Sequence, residues 1–241
     1  MHWFETWFDS PYYQLLYNHR NEQEASLFIG ALISFLQPAP DARILDIPCG
    51  TGRHSVELHK KGFHVTGADL SLENIKKAQR LSSERLQFIQ HDMRKPFAYH
   101  EYDIVLNLFT SFGYFDTEQE NIDTLKNFSH ALKRKGVLVV DYMNVKKTIT
   151  SMIAHELKWV ENVKFELSKS VVDGYIVKRI MITDGAIQKC YTEKVKVLYI
   201  EDFTNYLNIA GLNLTHVFGD YELNRFDTEN SDRMILIAQK I

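Results

Sequence analysis

The segment Ile44-Leu45-Asp46-Ile47-Pro48-Cys49-Gly50-Thr51-Gly52 is an apolar run that carries one carboxylate and enters a Gly-x-Gly turn. Glycines at 50 and 52 let a backbone turn sharply and come close to a ligand, and a helix opening just after them offers unpaired N–H groups. A second acid, Asp69, closes the next apolar run, Val65-Thr66-Gly67-Ala68, 19 residues after Gly50. An acid in that place can accept hydrogen bonds from both ribose hydroxyls of an adenosine group. The two features together specify nucleoside binding without specifying which nucleoside.

Two details narrow the choice. A dinucleotide fingerprint continues as Gly-x-Gly-x-x-Gly, whereas position 55 is Ser. Asp46 would repel a pyrophosphate, but its charge suits the ammonium of a methionine moiety. S-adenosylmethionine is therefore a better guest than NAD.

The elements that must hold these residues follow from the pattern on either side of them. The runs 43–47, 63–68, 86–90, 102–108 and 137–142 are short, apolar and rich in β-branched residues, as buried parallel strands are. Between them the sequence predicts helices over 51–61, over 72–82 after the N-cap Ser71, and over 118–135. The last of these is expected to end in the basic turn Lys133-Arg134-Lys135 with Gly136 as its C-cap. This alternation implies an α/β fold, a doubly wound and mostly parallel sheet with helices on both faces. Residues 159–172, 175–184 and 186–200 read instead as three strands joined at Asp173-Gly174 and Asp184-Gly185, a small antiparallel β insertion. A helix over 201–210 and strands near 212–218 and 233–239 complete the chain. The expected division is a helical cap over 1–37, a core formed by 38–150 and 201–241, and the insertion over 151–200.

These segments resemble the class I S-adenosylmethionine-dependent methyltransferases. Their first motif is matched by Asp46, Gly50 and Gly52, and their second-strand acid by Asp69, with Leu70 beside it. The family's acidic residue after the third strand, which commonly contacts the adenine amino group, is matched by Asp92, which could instead be a turn former before Pro96, and the Met93 backbone would lie next to the ring. The fourth-strand segment Tyr102–Phe109 supplies Asn107 to the cofactor site. The resemblance covers roughly residues 40–145 and returns at 201–241. It implies a seven-stranded Rossmann-like sheet, S-adenosylmethionine as cofactor, and a cleft roofed by the N-terminal segment and the insertion, as in enzymes of this family that act on small molecules. The family's Asn/Asp-Pro-Pro-aromatic motif is missing, since Asn107 is followed by Leu-Phe-Thr, which argues against amino groups on adenine or glutamine as targets. The Pro48-Cys49 pair lies in the wrong loop to be the nucleophile of a pyrimidine C5 methyltransferase.

A sulfonium methyl is already activated, so its transfer needs mainly alignment and exclusion of water, and no catalytic triad is required. Tyr13, Tyr17, Asn107, Phe109, Ser111, Phe112 and Tyr114 are candidates for the acceptor pocket, because electron-rich ring faces favour a cation. Tyr13 and Tyr17, spaced i, i+4, equally suit an amphipathic helix packing on the core. Arg20 could hold the methionine carboxylate or pair with Glu22 or Glu24. His19, His54 and His91 read better as packing or solvated residues than as bases, and the ten histidines show no metal-ligand spacing.

Lys and Arg total 28 against 31 Asp and Glu, so no long-range field favours a polyanion, which argues against a nucleic-acid partner. Cys49 and Cys190 read as free thiols in a reducing compartment. No apolar run approaches the roughly 20 residues that span a bilayer, and the segment MHWFETWFDS carries acids where a signal peptide has bases. The expectation is a cytoplasmic N- or O-methyltransferase, monomer or homodimer, acting on a small molecule without a metal. The alternatives are an RNA or protein methyltransferase and a non-catalytic S-adenosylmethionine-binding module.

Overall fold

The computed structural model describes residues 2–17, 22–97 and 99–241. In chain order its elements are α1 (Trp3–Trp7), α2 (Pro11–Leu16), α3 (Glu22–Leu36), β1 (Arg43–Asp46), α4 (Arg53–Lys60), β2 (His64–Asp69), α5 (Leu72–Ala78), β3 (Leu86–Gln90), β4 (Tyr102–Asn107), α6 (Glu118–Ala131), β5 (Leu132–Met143), α7 (Val145–Thr150), β6 (His155–Val160), β7 (Val163–Val172), β8 (Tyr175–Asp184), β9 (Ile187–Lys196), α8 (Ile200–Ile209), β10 (Leu212–Phe218) and β11 (Arg233–Lys240).

The apolar runs around Ile44, Val65, Ile104 and Val139 are buried because they form the middle of a sheet covered on both faces. That sheet has seven strands in the order β10-β11-β5-β4-β1-β2-β3. β1 to β5 are mutually parallel, and β11 runs antiparallel to both β5 and β10. On one face Leu125 and Phe128 of α6 and Phe203 and Leu207 of α8 close the core. On the other, Phe28 and Leu32 of α3, Leu58 of α4 and Ile75 of α5 do so. The expected doubly wound α/β sheet is present, and its strand order puts the carboxyl ends of β1 and β4 side by side, where a crevice forms.

The insertion is a separate antiparallel sheet in the order β6-β7-β8-β9. It has four strands where three were expected, because the run 159–172 is broken by a two-residue turn at Glu161-Asn162, with Glu161 at φ 53°. Asp173-Gly174 forms the expected two-residue turn, both residues being left-handed at φ 50° and 75°. The last turn is displaced by one residue: Asp184 still pairs with Ile187, so the loop is Gly185-Ala186 and not Asp184-Gly185.

Helix ends differ too. α4 starts at Arg53 and not at residue 51, because Gly52 is still left-handed at φ 89°. α5 stops at Ala78 and tightens into a 3-10 turn over Gln79–Leu81. α6 opens on a Thr117–Glu120 capping box, but it ends at Ala131 and not at residue 135. Leu132 already pairs with Tyr102, and Lys133 leaves to meet Asp103 at 2.8 Å. The cation at this helix end is Lys240 of β11, whose Nζ donates to the carbonyls of Ser129 and, at 2.9 Å, Leu132.

The N-terminal helices divide their packing. Trp7, Tyr12 and Leu16 of α1 and α2 lie on Phe165, Leu167, Ile180 and Ile182 of the antiparallel sheet, whereas α3 lies on the main sheet. Among the described residues no helix is long and apolar enough to cross a membrane.

Candidate functional site

Four strand ends converge at the carboxyl edge of the main sheet. Asp46 ends β1, Asp69 ends β2, Asn107 ends β4, and Asp92 follows β3. The loop leaving β1 has Gly50 and Gly52 at φ 57° and 89°, a conformation that only glycine adopts without strain. Their surroundings differ. A Cβ on Gly52 would sit 2.6 Å from Cζ of Phe88, while one on Gly50 would meet nothing within 4 Å. Gly52 is therefore required by packing, and Gly50 faces open space.

Asp69 ties this loop to its neighbour. One carboxylate oxygen accepts the Gly50 N–H and the other the Ser71 N–H, each at 2.8 Å. Burial raises its pKa above the ordinary value, against the two backbone donors that lower it. The Ser71 hydroxyl accepts from Asn74 N at 3.0 Å to cap α5 and donates to Asp9, which draws the α1–α2 connection onto this corner.

Asp46 is fully buried. Its Oδ2 accepts from the Ser55 hydroxyl at 2.6 Å, and its Oδ1 has no partner among the described residues. Burial, reinforced by the nearby Asp69, pushes its pKa up to about 7 although the Ser55 hydroxyl opposes this. Asn107 repeats the pattern one strand away. Its amide donates to the Ile47 carbonyl at 2.8 Å, and its buried Oδ1 has no partner among the described residues. Two unpaired acceptors on adjacent strand ends, beside an open Gly50, fit an amino-acid ammonium, because a buried acceptor left unmatched costs about 1–3 kcal/mol.

Asp92 forms a turn with Arg94 N at 3.0 Å and a forked pair with the Arg94 guanidinium, Nε at 3.0 Å and Nη2 at 2.8 Å. Burial alone would raise its pKa, but the Arg94 bonds outweigh this and hold it below the ordinary value. Arg94 in turn lies over the rings of Phe4 and Phe115. Met93 lies against Asn107, whose amide is 3.6 Å from its sulfur, and Leu70 sits between Asp69 and the α5 cap, its carbonyl accepting from Gln90 at 3.0 Å. Arg20 and His19 lie outside the described residues.

The acceptor-side candidates fall into two groups. Tyr13, Tyr17 and Tyr114 belong to an aromatic cluster with Trp3, Trp7 and Phe8, with centroids 5.0 Å apart for Trp3–Tyr114 and 4.9 Å for Phe8–Tyr13. Tyr17 also donates to Glu193 at 2.7 Å and accepts from Lys178 at 2.7 Å. Phe109 lies apart from that cluster, stacked on Tyr221 at 5.2 Å and against His54 at 5.0 Å. Ser111 donates to the Leu108 carbonyl at 2.7 Å. Phe112 is fully buried in the core against Phe203. His54 is buried, and its pKa is pushed down to about 3, chiefly by burial, so it is neutral. Sequence reasoning missed Asp9, Glu193, Lys178, Tyr221 and Arg233.

A methyltransferase domain family matches residues 44–136, the stretch that carries Asp46, Gly50, Asp69, Asp92 and Asn107. Residues 44–136 therefore carry a methyltransferase domain. This methyltransferase is 27% identical over 234 residues to a glycine/sarcosine N-methyltransferase of Parasynechococcus marenigrum (strain WH8102), covering 93% of the chain and 79% of that protein. It is 41% identical over 102 residues to the protein YqeM of Bacillus subtilis (strain 168), a match that spans only 41% of either chain. An S-adenosylmethionine-dependent methyltransferase of Clostridium acetobutylicum ATCC 824 shares the fold at a TM-score of 0.79 and 20% identity, over 95% of this chain and 96% of that one.

Proposed function

We propose that this methyltransferase moves the S-adenosylmethionine methyl group to the nitrogen of a small amine. The observation that carries the reading is the pair of unmatched acceptors, Asp46 Oδ1 and Asn107 Oδ1, buried beside the open Gly50 turn. In this reading they receive the methionine ammonium, Asp69 holds the ribose with Leu70 beside it, and Asp92 and Met93 border the adenine. Gly50 and Gly52 shape the turn. Arg20 is the proposed partner of the methionine carboxylate.

When bound, the cofactor supplies an electrophilic methyl group on a sulfonium. The chain's own residues have to exclude water and aim the acceptor's lone pair. The acceptor nitrogen, held there with its lone pair free, would take the methyl group and release one proton to solvent. The loop Phe109–Tyr114, with Ser111, and the aromatics Tyr13 and Tyr17 form the proposed acceptor wall. Helices α1 and α2 together with the β6–β9 sheet form the proposed lid. The Ser111 and Tyr114 hydroxyls both donate to backbone carbonyls, and His54 is neutral. An amine that arrives uncharged needs no strong base, which favours nitrogen over oxygen as the target. The similarity to a glycine/sarcosine N-methyltransferase supports the same choice.

The test is a transfer assay with labelled S-adenosylmethionine against glycine, sarcosine, amino sugars, catechols, bulk tRNA and a peptide mixture. Label in an amine is the expected result. Label only in catechols, RNA or peptides would reject the reading, and cofactor binding without transfer to any of them would favour a non-catalytic module.

A further inference from the structure

Phe109 and Thr110 follow Asn107 by two and three residues, and both are left-handed, at φ 60° and 55°. Two consecutive non-glycine residues in that region are rare, and a β-branched threonine there is rarer still. Such a conformation persists only where the surroundings over-determine it. Here the surroundings are a buried charge pair from two distant strands. Asp141, near the end of β5, is fully buried. Its Oδ2 accepts the Phe109 N–H at 2.8 Å, its Oδ1 accepts from Arg233 Nε at 2.8 Å, and its backbone carbonyl accepts the Thr110 N–H at 2.9 Å. Arg233, at the start of β11, places Nη2 2.7 Å from the same Oδ1 and donates from it to the Thr110 hydroxyl at 2.8 Å. Tyr221 donates to Asp141 at 3.3 Å and stacks on Phe109.

Beyond each other and Tyr221, the two side chains thus hold the Phe109 amide and the Thr110 hydroxyl of one loop. A charge pair serving only to join β5 to β11 would have no need of the Phe109 amide or the Thr110 hydroxyl, since those strands already pair along their length. We propose that Asp141 and Arg233 are positioning residues that clamp the Phe109–Tyr114 loop in its left-handed course, fixing the acceptor wall without touching the cofactor. The link to the acceptor rests on the amine-methyltransfer reading above. The clamp itself rests on geometry alone.

The variants Arg233→Lys, Tyr221→Phe and Thr110→Val remove one contact each, and Thr110→Val keeps the fold if Arg233→Lys does not. Three quantities are measured on each full-length protein: amide hydrogen exchange at Phe109 and Thr110 relative to Ile104–Leu106 of β4, the Kd for S-adenosylhomocysteine, and kcat for the amine that the panel identifies. The expected result for Arg233→Lys is exchange about tenfold faster at the two loop amides with β4 unchanged. The Kd should stay within about twofold, with a kcat loss of roughly 10- to 100-fold from misalignment. Unchanged loop exchange in both Arg233→Lys and Thr110→Val would overturn the clamp, as would a fall in cofactor affinity and melting temperature parallel to the loss of rate. The exchange measurement needs no acceptor, so it decides the clamp even if no amine in the panel is methylated.

Discussion

The Ser55 hydroxyl donates to Oδ2 of Asp46 at 2.6 Å while Oδ1 of the same buried carboxylate has no partner among the described residues. A serine in the first turn of α4 thus keeps half of the carboxylate oriented and leaves the other half for a ligand. With its pKa raised to about 7, chiefly by burial, Asp46 is largely protonated in mildly acidic solution and cannot then pair with an ammonium. Affinity for S-adenosylmethionine should therefore rise between about pH 6 and pH 8, by at most about tenfold per unit below the pKa, with proton release on binding. The sign for stability is opposite. The folded protein holds this proton between the ordinary carboxyl value of 3.8 and about 7, so the unliganded protein loses stability as pH rises through that window. Calorimetric Kd values across the range check the first statement, and a flat profile for the unaltered protein would remove Asp46 from the ammonium site. Asp46→Asn should bind more weakly and lose the pH dependence.

Gly50 and Gly52 are separable. Gly52→Ala adds a methyl 2.6 Å from Phe88 on a φ of 89°, combining overpacking with backbone strain. A loss of roughly 2–4 kcal/mol is expected. Gly50→Ala meets no atom within 4 Å and should lose only about 1–2 kcal/mol from its left-handed backbone. Its larger effect should be on cofactor affinity. Denaturant melts and cofactor titrations on both variants make the comparison, and equal losses in both measurements would mean that the two glycines share one role.

How far such features could be read from the sequence depends on whether their causes are local. The β1 turn was legible because an acid, two glycines and a helix start lie within ten residues. The end of α6 was not, since its terminal cation is Lys240, 108 residues from Leu132. The first hairpin of the insertion was hidden because Glu161-Asn162 lacks the glycine that marked the next two turns. Glu193 meets Trp7 across 186 positions and Arg233 meets Asp141 across 92, separations over which spacing carries no information. Asp141 did have a signal, an acid closing the apolar run 137–140 as Asp69 closes its own.

Asp69 accepts backbone N–H groups from the turns that leave β1 and β2, Gly50 and Ser71. Replacing it with Ala removes the proposed ribose acceptor and the tie that sets the turn's position. Cofactor binding should weaken by roughly 1.5–3 kcal/mol, the worth of one charge-assisted hydrogen bond. Asp69→Asn retains one acceptor oxygen and should fall between Ala and the unaltered protein. Equal affinity for all three by calorimetry would show that the sugar is held elsewhere.

Glu193 joins both N-terminal helices to the antiparallel sheet, since it accepts from Trp7 Nε1 and Tyr17 Oη at 2.7 Å each, with Lys178 3.6 Å away. Burial depresses the Lys178 pKa, and the Glu193 charge opposes that depression. Glu193→Gln keeps the size and one acceptor oxygen but strands the lysine charge. Stability should fall by roughly 1–3 kcal/mol near neutral pH, about 2–4 °C in Tm for each kcal/mol. Without Glu193 the folded-state pKa of Lys178 drops further below its unfolded value of 10.5. The unfolded chain then binds the extra proton, so the variant recovers stability as pH rises toward about 10. Denaturant unfolding of both proteins at neutral and alkaline pH tests this. A deficit that stays constant with pH would assign the loss to the Trp7 and Tyr17 hydrogen bonds instead of the stranded charge.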